Sequence, residues 1–223
     1  MRHSCSGVSL AVQLLAVIGL STGLAAPAIG QVSLSPTVGV YAPTANLIDA
    51  LVDGTPLQLK QQVGIALGGR LGIGLGSRIS LSATGSYVPS SLRATISSTG
   101  AVQEADDRTS LYFGSGRLNL WLLPRSSPLV LGLNGGVGVV GRSSTVVTDA
   151  NGDTYTDGKR TDVGGVVGAT LGLNLGVISA FVAADNYIYK PTVFEQLGVE
   201  RQTQNDVQIS FGLGLPLGGS RTK

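Results

Sequence analysis

Gln61-Gln62-Val63-Gly64-Ile65-Ala66-Leu67-Gly68-Gly69-Arg70-Leu71-Gly72-Ile73-Gly74-Leu75 alternates between two kinds of side chain. From Val63 onward the odd positions are aliphatic apart from Gly69, and the even positions are small or polar: Gln62, Ala66, Arg70 and glycines. A period of two specifies a β-strand with one apolar face and one small or polar face. In a soluble sandwich the glycine-rich face would meet water as a broad, weakly polar sheet. In a small membrane barrel that face lines a narrow lumen, and the aliphatic face meets lipid.

The whole chain leans the same way. Of its 223 residues only 13% are charged, against about a quarter in ordinary soluble domains, and the mean hydropathy is positive. Beyond the N-terminus no run of about 18 apolar residues offers a spanning helix. Apolar composition without such a helix is what a lipid-facing barrel gives, because only every second residue is apolar. The net charge of +2 is too weak to argue for a nucleic-acid partner.

Residues 1–30 read as a signal peptide. Arg2 and His3 open it with positive charge, Val8 to Leu20 is largely apolar, and small residues precede cleavage points after Ala28 and after Gly30. A retained anchor helix is the alternative, and the short apolar stretch argues against it. Cys5 and His3 fall inside this segment, so the expected mature chain, residues 31–223, has neither cysteine nor histidine. Disulfides and cysteine-based metal sites are thereby excluded.

Eight strand-like segments follow: Val32–Tyr41, Gln61–Leu75, Ile79–Val88, Ser110–Leu122, Leu129–Gly141, Val163–Leu175, Ile178–Tyr189 and Asp206–Leu217. Each reaches the ~9–11 residues that a tilted strand needs to cross a bilayer. Short connections (76–78, 123–128, 176–177) alternate with long ones (42–60, 89–109, 142–162, 190–205). The expectation is an all-β, eight-stranded antiparallel up-and-down transmembrane barrel with periplasmic short turns, outer long loops and both mature ends periplasmic. Tyr41, Tyr87, Tyr112, Tyr187 and Tyr189 fall at the outer strand ends and Trp121 at a periplasmic one, as interfacial rings do. Asn151-Gly152, between β-forming residues, marks a hairpin tip, so the fifth and sixth strands are expected to continue as a ribbon.

With those segments in place, the pattern resembles the small eight-stranded outer-membrane barrels of the OmpA/OmpX/OmpW type. Ser33 to Thr44 is similar to the first strand of that group. The last strand resembles its C-terminal assembly signal at Ser210, Gly212, Leu215 and Leu217. The family carries aromatic residues where this chain has Leu215 and Leu217, and Gly218–Lys223 extends past the strand. The resemblance implies recognition of the last strand by the barrel-assembly machinery. It also implies a monomer in contact with outer-membrane lipids and lipopolysaccharide.

Some barrels of this size modify lipid A, and the resemblance implies a histidine base in such enzymes. A serine nucleophile needs a proton acceptor near neutral pKa, and the mature chain has none, so Ser80, Ser82 and Ser86 read as small inward residues. Asp149, Asn151, Asp153 and Asp157 loosely match a calcium loop. Thr154 and Arg160 occupy the positions that need glycine and a bidentate acid, so a solvated turn is the better reading. The glycines of 132–138 and 164–168 lie within strands and lack the following helix and Lys-Ser/Thr of a phosphate loop. No cofactor or metal is expected.

Phase assigns Gln62, Arg70, Arg117, Asn119, Asn134, Asn174, Asp185 and Gln208 to the lumen. Buried charges need partners, so Arg70 or Arg117 is expected to pair with Asp185, and the usual role of such residues is to brace the barrel from inside. Arg78 and Arg125 read as solvated turn charges. The function expected is structural, or surface interaction and adhesion through the outer loops. A narrow channel for small or apolar solutes is the alternative, and a lipid A-modifying enzyme is disfavoured. The loop alternation sets a test: a tag inserted between Asn151 and Gly152 should bind antibody on intact cells. A tag after Lys223 should bind only once the outer membrane is permeabilised, and the reverse staining would invert the topology.

Overall fold

A computed structural model describes residues 32–52, 55–98, 101–124, 127–148, 154–192 and 202–217. The expected signal peptide, the Asn151-Gly152 tip and most of the calcium-like residues lie outside them. The strands are β1 (Val32–Pro43), β2 (Ile48–Val52), β3 (Thr55–Gln61), β4 (Gly64–Gly74), β5 (Ile79–Ser98) and β6 (Ala101–Trp121). They continue as β7 (Leu129–Arg142), β8 (Thr145–Thr148), β9 (Thr154–Asp157), β10 (Arg160–Leu175), β11 (Ile178–Tyr189) and β12 (Gln204–Leu217).

Eight of these close a ring, β1-β4-β5-β6-β7-β10-β11-β12, every neighbour antiparallel, with β12 returning to β1 from Val32↔Leu217 to Pro43↔Asp206. Val32 also lies opposite Ile73 of β4, so both described ends of the barrel share the short-turn end. The tightest of these turns joins β10 to β11 between paired Leu175 and Ile178. Gly176 there has φ +87°, the first position at which a two-residue hairpin takes glycine.

The aliphatic face points outward. Ile65 is 60% exposed, Leu67 52% and Leu171 54%, and Leu34, Val38, Leu118, Leu133, Val167 and Phe211 share that face on the other strands. In water this would be a continuous apolar surface far beyond what soluble monomers show. Around a closed barrel it is the band that meets hydrocarbon. The chain is therefore a transmembrane β-barrel.

Three features differ from the sequence expectation. First, Gln61 pairs with Leu92 while Leu67 pairs with Tyr87, so Gln62 and Val63 stand opposite Ser91 alone, with Gln62 N–H donating to the Ser91 carbonyl at 2.8 Å. That is a β-bulge, and it reverses the parity of the faces. Gln61 becomes the buried residue, and Gln62, expected in the lumen, is only half-buried. Second, the described residues 89–98 and 101–109 are strand rather than loop: β5 and β6 pair without interruption from Ile79↔Leu120 to Ser98↔Ala101. Third, residues 42–60 contain the β2–β3 hairpin, and β3 takes over from β4 as the neighbour of β5 beyond the bulge. The β8–β9 pair supplies the expected ribbon between the fifth and sixth barrel strands.

Leu71 lies on the outward face, opposite Leu34 and Ala83. Leu71→Arg places a cation on the lipid face within the membrane span and should cost about 2–4 kcal/mol, the midplane value. Gln58→Arg, exposed on β3 beyond the wall, should stay within about 0.5 kcal/mol. Urea midpoints read from the mobility of unboiled protein on detergent gels check this, and equal midpoints would contradict the assigned depth.

Candidate functional site in the lumen

The alternation that turns aliphatic residues outward turns the remaining residues into a narrow interior, and they sort into three layers. The middle layer is ionic. Asp185 on β11 lies between Arg117 on β6, whose Nη1 pairs with its Oδ1, and Arg70 on β4, whose Nη2 stands 3.7 Å from its Oδ2. Arg117 is thoroughly engaged. Its Nη2 donates to Tyr187 Oη at 2.8 Å and Thr84 Oγ1 at 3.2 Å, and its Nε donates to Ser115 Oγ at 2.6 Å. Asn134 accepts from Arg117 and donates to Asp185, both at 3.4 Å. Arg70 donates to Thr170 Oγ1 at 3.4 Å and lies over the Phe181 ring, 5.0 Å from its centre.

Towards the long-loop end the lumen is filled by a hydrophobic cluster: Tyr41, Ala66, Val88, Leu111, Phe113, Val140, Val166, Tyr187 and Tyr189. The rings of Tyr41 and Phe113 are 5.3 Å apart and those of Phe113 and Tyr187 4.9 Å apart, the spacing of tilted aromatic pairs. Glycine makes room for such bulk. A Cβ on Gly138 would meet the Tyr187 ring at 3.0 Å, and one on Gly212 would run into the Phe181 ring. Asp206 crowns the cluster, its Oδ2 accepting from Tyr189 Oη at 2.7 Å and Tyr41 Oη at 2.9 Å.

Towards the short-turn end the lumen opens into a cavity of about 600 Å³, lined by Ser33, Ser35, Ser80, Ser82, Asn119, Trp121, Asn174 and Phe181 and bounded inward by Arg70 and Thr170. Asn119 Nδ2 donates to Ser82 Oγ at 3.0 Å, Trp121 Nε1 to Ser80 Oγ at 3.0 Å, and Asn174 Nδ2 to the Ser127 carbonyl at 2.6 Å.

Of the lumen residues named from sequence, Arg70, Arg117, Asn134 and Asp185 meet in one network, with both arginines on Asp185. Gln208 stands apart, bonded to Ser86 at 3.0 Å, and Asn119 and Asn174 belong to the cavity. In the last strand Ser210 is buried while Leu215 and Leu217 face outward. Three of the five tyrosines expected at the rim, Tyr41, Tyr187 and Tyr189, point into the lumen; only Tyr87 and Tyr112 lie outside, paired at 5.2 Å. Sequence reasoning missed Asp206 and Phe181, although each shares the parity of an inward residue on its own strand, Gln208 for the first and Asp185 for the second.

A closed eight-stranded antiparallel barrel with an apolar outer face and a packed lumen is the architecture of the small outer-membrane barrels, and this chain has that fold. No family model and no curated protein matches the sequence. The solved structures supply the likeness. Outer membrane protein OprG from Pseudomonas aeruginosa superposes with a TM-score of 0.58 at 11% identity, covering 86% of this chain and 98% of that one. Neisserial surface protein A gives 0.51 at 8% identity, covering 84% and 97%. Fold is thus shared where almost no sequence is.

The network predicts an asymmetry. Asp185→Leu leaves two buried guanidinium groups without their carboxylate and should cost about 3–5 kcal/mol. Arg117→Met leaves Asp185 with Arg70 as its remaining cation and should cost less. Equilibrium unfolding in micelles ranks the two variants, and the opposite order would mean that Asp185 is not the hub.

Proposed function

We propose that this chain is an integral outer-membrane protein that works through the parts of its barrel projecting at the long-loop end, in surface contact or adhesion. The observation that carries this reading is the combination of a lumen blocked by its aromatic and ionic layers with an oversized hairpin. β5 has 20 residues and β6 has 21, roughly twice the ~9–11 that cross a bilayer. The excess length, reinforced by β2–β3, forms a paired surface beyond the membrane. Residues 1–30 would direct export. Ser210, Gly212, Leu215 and Leu217 would present the last strand to the assembly machinery, and the outward leucines of that strand suit a lipid-side signal. The partners proposed are outer-membrane lipid, lipopolysaccharide and a surface ligand at the loops, with the protein monomeric and no nucleic acid involved.

Two observations weigh against the other readings. The aromatic cluster and the Arg70–Asp185–Arg117 layer lie across the path a solute would take through the lumen. The single histidine of the sequence is His3, so lipid A chemistry of the serine–histidine kind lacks its base.

Purified barrel in a planar bilayer should give no unitary conductance steps. Cells displaying a variant trimmed to join Val88 to Leu111 by a short turn should keep a heat-modifiable barrel. They should attach to host-cell monolayers less than cells displaying the full hairpin. Reproducible conductance, or unchanged attachment of the trimmed form, would overturn the proposal.

A further inference from the structure

We propose that the cavity at the short-turn end is a binding site for a small organic anion, a monocarboxylate with a compact apolar body, held by Arg70. The first argument is charge. The middle layer contains two guanidinium groups and one carboxylate, leaving one positive charge in excess. Arg117 takes the close contact with Asp185, while Arg70 stands off at 3.7 Å. Arg70 is 9% exposed, and its Nε is buried without a hydrogen-bond partner among the described residues. A guanidinium in this condition gains from an anion more than from any neutral guest, because its fork matches a carboxylate.

The second argument is the cavity itself. Among the described residues that line it, Arg70 is the only charged one, and it lies at the blind end. No acidic side chain lines the cavity; Asp185, 3.7 Å from Arg70, is not among the lining residues. Ser35, Ser82 and Thr170 contribute hydroxyl groups to its wall, and Trp121 and Phe181, whose ring centre lies 5.0 Å from the Arg70 guanidinium, contribute apolar surface. A volume of about 600 Å³ falls in the range that small-molecule sites occupy. A carboxylate at Arg70 with its body against Phe181 and Trp121 satisfies both ends. This site lies at the opposite end of the lumen from the projecting hairpin, so it is independent of any surface role.

Trp121 is the only tryptophan of the chain and lines this cavity, so its fluorescence reports occupancy. The probe is 4-bromobenzoate, a heavy-atom quencher, with neutral 4-bromobenzamide as the control of equal shape, added to refolded full-length barrel in non-ionic micelles. The carboxylate should quench saturably, with an apparent affinity at least tenfold above that of the amide. Arg70→Gln should erase that preference and Arg70→Lys should retain part of it, each checked for folding by gel mobility. Gly72→Leu fills the cavity from β4, where an added Cβ meets only the movable Ser33 hydroxyl and a carbonyl at 4.0 Å, and it should abolish saturation. Equal quenching by the two probes in the wild-type protein, or an Arg70→Gln or Gly72→Leu barrel that still binds the carboxylate as tightly, would overturn the site.

Discussion

In hydrocarbon an unpaired backbone amide has nothing to bond to, and that constraint decides the architecture before any side chain is considered. Each strand must be paired on both sides, which only a closed ring allows, and the β1–β12 seam is where the ring closes. The seam has one gap. The ladder runs through Leu34↔Leu215 and resumes at Thr37↔Gly212, leaving Ser35 and Pro36 unpaired with β12 although both remain paired with β4. Pro36 has no amide hydrogen to give, so the interruption follows from that one residue. The ordered pairs on either side hold the strands in register.

Closure creates the second problem, an interior too narrow for a hydrophobic core in the usual sense. Eight strands leave a lumen that side chains must fill. This chain meets the demand by setting glycine against a large inward side chain, as Gly212 does with Phe181 on the neighbouring strand and Gly138 of β7 with Tyr187 of β11, one strand further round. The aromatic cluster takes one end and the ionic layer the middle. At the other end the inward residues, largely serines and glycines, are too small to fill the volume. The cavity is thus a product of residue size along the strands, and the arginine at its blind end gives it chemical character.

How much of this could be read from sequence depends on the physical range of each signal. Strand parity is local, so seven of the eight lumen residues named from it are where the alternation puts them, and the eight strand segments reappear in the ring. Parity fails at the Gln62–Val63 bulge, because an extra residue opposite Ser91 is a property of the pair of strands and leaves no mark on either alone. The polar stretch 89–109 looked like a loop because strands beyond a membrane have water on both faces and lose the apolar alternation. The rim reading of the tyrosines weighs position along the strand above parity: Tyr187 and Tyr189 share the phase of inward Asp185, and the alternation count already turns some of these rings to the lumen. That Asp185 meets both arginines was half-visible, since charge demanded a partner but not two.

Residues 70, 117 and 185 also bear on when the barrel becomes itself. They belong to the second, fourth and seventh strands of the ring, and no hairpin of neighbouring strands brings any two of them together. Their meeting requires that the sheet has already curled nearly to completion. Until then each charge must stay wet, and a sheet with wet charges on its concave face resists burial in the bilayer. The ionic layer is thus a contact of the closed ring alone: the pairing of neighbouring strands leaves it unmade, and only closure satisfies it.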